Sequence, residues 1–210
     1  MLAPSREKVC LAIPTIDGRI GVGCVAGMID CIDYWGVPLI MPGVSNLPLA
    51  RNLLAHAFVE KYPECEWLQM VDSDMIFTRK DWEILWEGDE DIVSAEYARK
   101  TLGDPPAVGG LAFARVHRRV FEKLKDLTSE DGQEVVRTFY QKGEMYRDYF
   151  YNGVAQGSRF LTEDHGFLMY CSMTDAIPRF ENRTRLGHVG SMTYCYPEQI
   201  PGYMKVGGSA

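Results

Sequence analysis

Two aspartates separated by one serine, Asp72-Ser73-Asp74, close the apolar run Leu68-Gln69-Met70-Val71. A strand that carries carboxylates to its C-terminal end puts them where open α/β sheets bind ligands. Extended alternation would aim Asp72 and Asp74 the same way, with Ser73 opposite. Two neighbouring carboxylates repel unless a cation or a proton intervenes. A hard divalent ion with oxygen ligands answers that need and bridges phosphates as well. The bland alternative is a strand-ending turn, for which Asp and Ser are ordinary residues.

Other residues compete for attention. Glu163-Asp164 follows Thr162, and acidic residues after an N-cap threonine stabilise a helix start by about 0.3–1 kcal/mol through the dipole. Of the four histidines, His56 reads as a helix-surface or packing residue and His117 as part of a basic cluster. His165 belongs to a first helical turn or faces a substrate. His188 lies in Leu186-Gly187-His188-Val189-Gly190, where glycines allow close approach. Gly21-Val22-Gly23-Cys24-Val25-Ala26 matches the dinucleotide fingerprint G-x-G-x-x-A. That fingerprint needs its turn directly after the first strand, and here the strand ends near Pro14, so an oxidoreductase is disfavoured. Arg115, His117, Arg118, Arg119, Lys123 and Lys125 form the one dense basic patch: a solvated helix face, or a contact for a phosphorylated acceptor or DNA.

Positioning such residues takes an α/β arrangement, and the chain alternates short apolar runs with amphipathic stretches accordingly. Strands are expected at Val9 to Pro14, Val37 to Met41, Glu66 to Val71, Asp91 to Tyr97, Gly109 to Arg115 and Arg179 to Arg185. Val22, Val25, Ile29 and Ile32 recur at helical spacing within Val22 to Trp35. Ser45 or Asn46 caps a helix with Pro48 in its first turn. Thr78 with Asp81 resembles a capping box. Helices are also expected from about Arg118 to Leu124 and from Thr162 to about Thr174. Thr128 to Tyr146 reads as a flexible surface loop. Of the aromatics that follow, Tyr146, Tyr149, Phe150 and Tyr151, the core is the expected place.

With 210 residues and 46% hydrophobic content the chain can bury one sizeable core. The expected division is one domain over 1–196 and a partly disordered C-terminal tail over 197–210. No stretch reaches the ~18 uninterrupted apolar residues of a membrane span, and Met1 to Lys8 does not resemble a signal peptide. Six scattered cysteines without a C-x-x-C pair read as buried free thiols in a reducing compartment, hence a cytoplasmic protein, the host cytoplasm if phage-encoded. A net charge of −7 argues against tight, non-specific nucleic-acid binding.

An ordered set of motifs adds a resemblance covering nearly the whole chain. It runs through Ala12-Ile13-Pro14-Thr15-Ile16-Asp17-Gly18, Leu49-Ala50-Arg51-Asn52, Val71-Asp72-Ser73-Asp74-Met75 and Gly110-Leu111-Ala112-Phe113 with Arg118-Arg119-Val120-Phe121. It ends in Thr162-Glu163-Asp164 and His188-Val189-Gly190. In these the sequence resembles GT-A glycosyltransferases related to glycosyltransferase family 2, including small phage-encoded members. The resemblance implies a single GT-A domain with a mixed, mostly parallel sheet flanked by helices. It implies that Pro14, Thr15 and Asp17 line a nucleotide pocket and that Arg51 approaches the base or diphosphate. Asp72 and Ser73 would also face the donor. Asp72, Asp74 and His188 would hold Mn2+ or Mg2+, Asp164 would act as general base, and Glu163 would support it. The implied reaction is sugar transfer from a nucleotide-diphosphate-sugar, UDP-linked by analogy, to an acceptor hydroxyl. The single Glu163-Asp164 pair points to inversion. The segment Met169 to Ile177 departs from the family, where a basic residue and a glycine are usual, so the acceptor side is the least defined. A modified DNA base, a protein, a glycan and a small molecule all stay open as acceptors. Two other functions stay open: a metal-dependent nucleotidyltransferase, and a non-catalytic sugar or nucleotide binding module on a GT-A scaffold.

Overall fold

A computed structural model describes residues 5–41, 44, 46–98, 110–154, 160–189 and 193–194. Its centre is β1 (Val9–Pro14), buried along its whole length because strands of a mostly parallel sheet are covered on both faces. β1 pairs in parallel with β2 (Val37–Met41) on one side and β3 (Trp67–Val71) on the other. β6 (Phe113–His117) runs antiparallel between β3 and β5 (Ile92–Tyr97). β11 (Arg179–Val189) lies parallel to β5, and its far end pairs antiparallel with β4 (Met75–Ile76) and β12 (Thr193–Tyr194). The order is β12-β11-β5-β6-β3-β1-β2, with β4 on β11. Strands β2, β1, β3, β5 and β11 thus share one direction, and the sheet is mixed.

Alternation splits the core in two. Cys10, Ala12, Leu68, Met70, Ala114 and Val116 point to one face. They pack there against residues of α2 (Leu47–Lys61), α4 (Arg118–Lys125) and α5 (Glu163–Ser172), with Leu54, Phe58, Phe121 and Phe167 at the contact. Val9, Leu11, Ile13, Trp67, Val71 and Phe113 point to the other face. That face is covered by α1 (Val22–Asp30) and α3 (Arg79–Leu85) through Cys24, Phe77, Trp82 and Trp86. Asn46 caps α2 through its side chain, and Thr78 with Asp81 closes a full capping box on α3.

Three expectations change. The helix starting at Val22 ends at Asp30, and its regularly spaced apolar residues do not face the core. Val22 and Ile29 are 87% and 66% exposed. The buried face is the small one: a Cβ on Gly23 would sit 2.6 Å from an Ile76 carbon, and one on Gly27 2.8 Å from the Phe77 carbonyl. The glycines that mimic a dinucleotide fingerprint instead let α1 lie against the residues following β3. Second, the segment read as a flexible loop holds a hairpin, β7 (Thr138–Gln141) and β8 (Glu144–Arg147). Lys142 and Gly143 both have positive φ (51° and 84°), as a two-residue hairpin turn requires. Third, the last expected strand is longer, ending at Val189 rather than Arg185. The strand expected over Gly109 to Arg115 runs from Phe113 to His117 instead; Gly109, Cys195 and the whole tail 197–210 lie outside the described residues.

The basic patch disperses on folding. Arg115 is buried, its guanidinium 4.9 Å from the Trp67 ring and 5.2 Å from the Trp86 ring. Arg118 donates to the carbonyls of Phe58, Val59, Tyr62 and Cys65, closing the C-terminal end of α2. Arg119 pairs with Asp91 and Lys123 with Asp175. Arg115 and Arg118 are thus spent internally, whereas Arg119, Lys123 and Lys125 stay at the surface beside single carboxylates. Tyr149 and Phe150 are buried, and the five described cysteines are buried free thiols. Among the described residues no helix is long and apolar enough to cross a membrane.

Candidate active site

The C-terminal ends of β1, β3, β5 and β11 lie on one edge of the sheet, where open α/β sheets place ligands. β1 delivers Pro14 and Thr15, both buried. β3 delivers Asp72, whose N–H is fixed by the Ala112 carbonyl at 2.8 Å. The chain then turns instead of staying extended, with Met75 N–H on the Asp72 carbonyl at 3.1 Å. Strand alternation therefore stops at Asp72, and the two aspartates acquire different partners. Ser73 contributes its carbonyl, which accepts the Gly21 N–H at 2.7 Å and ties the start of α1 to this turn.

Asp72 meets Arg51. That side chain is 1% exposed and projects from the second turn of α2 into a cluster of carboxylates. Its Nη2 donates to Asp72 Oδ1 at 2.9 Å and Oδ2 at 3.2 Å. Its Nη1 donates to Glu163 Oε1 at 2.8 Å and to Asp164 Oδ1. Burial alone would weaken the Arg51 charge, but Asp72, Asp164 and Glu163 outweigh it and raise the pKa. The terminal nitrogens of Arg51 are committed to carboxylates below the surface, and it works as their organiser. Glu163 and Asp164 open α5, where the helix dipole also favours them. Burial pushes the Asp164 carboxyl above the ordinary aspartate range; Arg51 opposes this, while Glu163 and Asp72 add to it.

Asp74 meets His188. The extended β11 carries His188 to Met75 on β4, Val189 N–H binds the Asp74 carbonyl at 2.8 Å, and His188 Nε2 lies 3.0 Å from Asp74 Oδ1. His188 is thus a strand residue held by the turn it faces. Its Nδ1 is buried without a hydrogen-bond partner among the described residues. Asp72, Asp74 and His188 do not gather as one ligand set. No group of three or more His, Cys, Asp or Glu among the described residues is arranged to hold an ion. The physical reason is Arg51, which takes the Asp72 carboxylate. The donor chemistry still suits a hard ion held by one carboxylate and one imidazole, with the remaining positions left to phosphate oxygens or water.

Asp17 stands apart. It is exposed and accepts the Arg19 N–H at 3.0 Å in its own turn, with Gly18 at φ 78°. One residue not singled out from the sequence belongs to the site. Tyr97, at the end of β5, sets its ring edge-on to His188 with centroids 5.6 Å apart. Burial raises its phenol pKa, and Asp164 and Asp72 raise it further, which places Tyr97 beside both halves of the site. Gly110 makes room for it, since a Cβ there would sit 2.3 Å from the Tyr97 hydroxyl. A tyrosine ending a strand on the same edge as Asp72 was the available signal.

No family model matches this sequence, and no curated protein does. Among solved structures the chain is similar to A197 from STIV, at 14% identity over 87% of this chain and 86% of that one, with a TM-score of 0.56. The likeness is one of fold. Weaker overlaps, with TM-scores of 0.38 and 0.43, are to a glycosyltransferase involved in glycosylation of the major capsid of PBCV-1 and to a putative glucose-1-phosphate thymidylyltransferase from Bacillus anthracis in complex with a sucrose. The former shares 16% identity over 54% of this chain and 62% of that one, the latter 12% over 86% and 88%. At those scores they carry no argument about this chain.

Proposed function

We propose that the protein is a metal-dependent, inverting glycosyltransferase that moves a sugar from a nucleotide-diphosphate-sugar, UDP-linked by preference, to an acceptor hydroxyl. The observation that carries this reading is the gathering of Asp72, Glu163 and Asp164 around one buried arginine, beside the Asp74–His188 contact, on the ligand-binding edge of the sheet. Three carboxylates share one guanidinium, so the site keeps an excess of negative charge that calls for a cation.

Asp74 and His188 would hold that cation, Mn2+ or Mg2+, which would neutralise the departing diphosphate. Asp164 accepts the proton of the acceptor hydroxyl. The acceptor oxygen bonds to the anomeric carbon as the bond from that carbon to the diphosphate oxygen breaks, and the nucleoside diphosphate leaves. Arg51 holds Asp164 and Glu163 in place and keeps Asp164 from being fully neutralised by its buried setting. Its raised carboxyl makes Asp164 a stronger base than an ordinary aspartate. Tyr97 would steady the His188 ring, which it meets edge-on. Pro14 and Thr15, at the end of β1, line the donor side in this reading; Asp17 would reach it only by leaving its turn with Arg19.

A thermal-shift screen of nucleotide-sugars with and without Mn2+ tests the donor. One nucleotide-diphosphate-sugar should stabilise the protein only with the metal, by RT ln(1 + [L]/Kd), and Asp74→Ala should remove the effect. Stabilisation by nucleoside triphosphates instead, with pyrophosphate released on turnover, would replace this reading by nucleotidyl transfer. Asp164→Asn should lower transfer by about 10²–10⁴-fold, the usual worth of a positioned base. A product that keeps the donor's anomeric configuration by NMR would defeat inversion.

A further inference from the structure

We propose that the cleft between the N-terminal half of α2 and the β7–β8 hairpin is the acceptor site, and that it takes a neutral, hydroxyl-rich acceptor, a sugar unit of a glycan or glycoside. This rests on the glycosyl-transfer reading for its role, though not for its binding chemistry.

The cleft has a volume of about 500 Å³, the size of a small-ligand site. Among the described residues Asn46, Asn52, Asp148 and Asn152 line it with Leu49 and Phe139, and no lysine or arginine does. Side-chain amides offer both donors and acceptors, and a carboxylate accepts, which is the inventory that paired sugar hydroxyls require. A phosphate-bearing acceptor would find no counter-charge in this wall and a carboxylate opposing it. The ring of Phe139 supplies the apolar surface on which the C–H face of a pyranose can rest. That ring is itself backed by Tyr146, stacked at 5.5 Å with an interplanar angle of 19°, and Tyr146 is backed by His56 at 4.5 Å.

The polar groups are held before any ligand arrives. Asn52 is 2% exposed and donates from Nδ2 to Asp148 Oδ1 at 2.7 Å, while its Oδ1 accepts the Phe150 N–H at 3.0 Å. Asp148 N–H is fixed on the Arg137 carbonyl at 2.8 Å. Asp148 keeps a second carboxylate oxygen as an acceptor, already oriented, so that less ordering is lost on binding.

The cleft and the carboxylate cluster both draw on α2. Asn52 follows Arg51 on α2. The segment from Asp148 to Tyr151 reaches α5 so closely that a Cβ on Gly166 would lie 1.9 Å from the Tyr151 carbonyl, three residues beyond Glu163. α2 and α5 thus hold the cleft and the base in one rigid frame.

The test is ligand-observed saturation-transfer NMR on the full chain with a panel of methyl glycosides, and nucleosides as the competing class. At least one methyl glycoside should bind the wild-type protein. Its affinity should fall at least tenfold in Phe139→Ala and in Asn152→Ala, with both variants melting cooperatively. Binding undiminished in both variants, no glycoside binding at millimolar concentration, or selective nucleoside binding lost in those variants would each overturn the assignment. The donor screen on the same wild-type protein separates the two readings. A donor response without glycoside binding sinks only the acceptor site; glycoside binding without any donor response sinks only glycosyl transfer.

Discussion

Two ion networks, one around Glu181 on β11 and one around Arg51 at the candidate site, differ in charge balance. On β11, Glu181 is 3% exposed and faces both Arg179 and Arg183, with Arg183 also donating its N–H. Hydrogen bonds from Arg183 outweigh burial there, and with Arg179 they hold the Glu181 carboxyl down to about 2. At the candidate site one guanidinium serves Asp72, Glu163 and Asp164, and Asp164 is pushed up. In the Glu181 network Arg179 also reaches Glu90 and Arg183 also reaches Glu87, so its charges are matched and it is a finished structural joint. Three carboxylates per cation is an unfinished balance, the condition in which perturbed groups mark working sites.

The largest expected effect is Arg51→Met, which strands three carboxylates around an apolar side chain. We expect a loss of about 3–5 kcal/mol in urea melts at pH 7, shrinking as the pH is lowered and the carboxylates protonate. A pH-independent loss would mean that packing, not charge, is what Arg51 supplies. Glu181→Gln should cost about 3 kcal/mol at pH 7, since a folded pKa near 2 against an ordinary value of 4.5 favours the fold. Because this carboxyl is depressed, its contribution is present above the ordinary value and vanishes as the pH falls through about 2. Melts of wild type and variant should therefore converge in acid, and parallel curves would contradict the assignment.

Asp164→Asn should do the reverse and raise stability at pH 8 by roughly 0.5–2 kcal/mol, as removing a destabilised active-site charge commonly does. The sign follows from a raised folded pKa: the favourable contribution exists below the unfolded value and is lost as the pH rises through the folded one. An Asp164→Asn protein less stable than wild type at pH 8 would show that the Arg51 cluster is balanced after all. The smallest change is expected for His188→Ala, within about 1 kcal/mol without metal, as for partly exposed pairs. The same variant should lose the Mn2+-dependent part of any nucleotide-sugar stabilisation; retention of it would remove His188 from the metal site.

Much was legible in the chain because local rules sufficed. The strand runs Val9–Pro14 and Val37–Met41, the Asn46 cap and the Thr78–Asp81 box follow from apolar runs and capping chemistry. The hairpin at 138–147 had its own signal in Lys142-Gly143 between alternating residues, overlooked because the surrounding segment is polar. The orientation of α1 was not legible: periodicity marks an apolar stripe but cannot weigh it against a glycine face that allows closer approach. The basic cluster misled likewise, because adjacency in sequence says nothing about the carbonyls capped by Arg118 or the indoles that Arg115 meets.

By itself the sequence determined an α/β chain with acidic residues at the end of a buried strand and at a helix start, because strand ends and caps are written in a few consecutive residues. The tertiary structure alone decided which charges meet. Arg51 lies 21 residues from Asp72 and 113 from Asp164, and Asp74 lies 114 from His188. Ion pairs at such separations form only when the sheet order brings β3, β11, α2 and α5 to one edge. Burial and mutual proximity there perturb Asp164, which no single stretch of chain encodes.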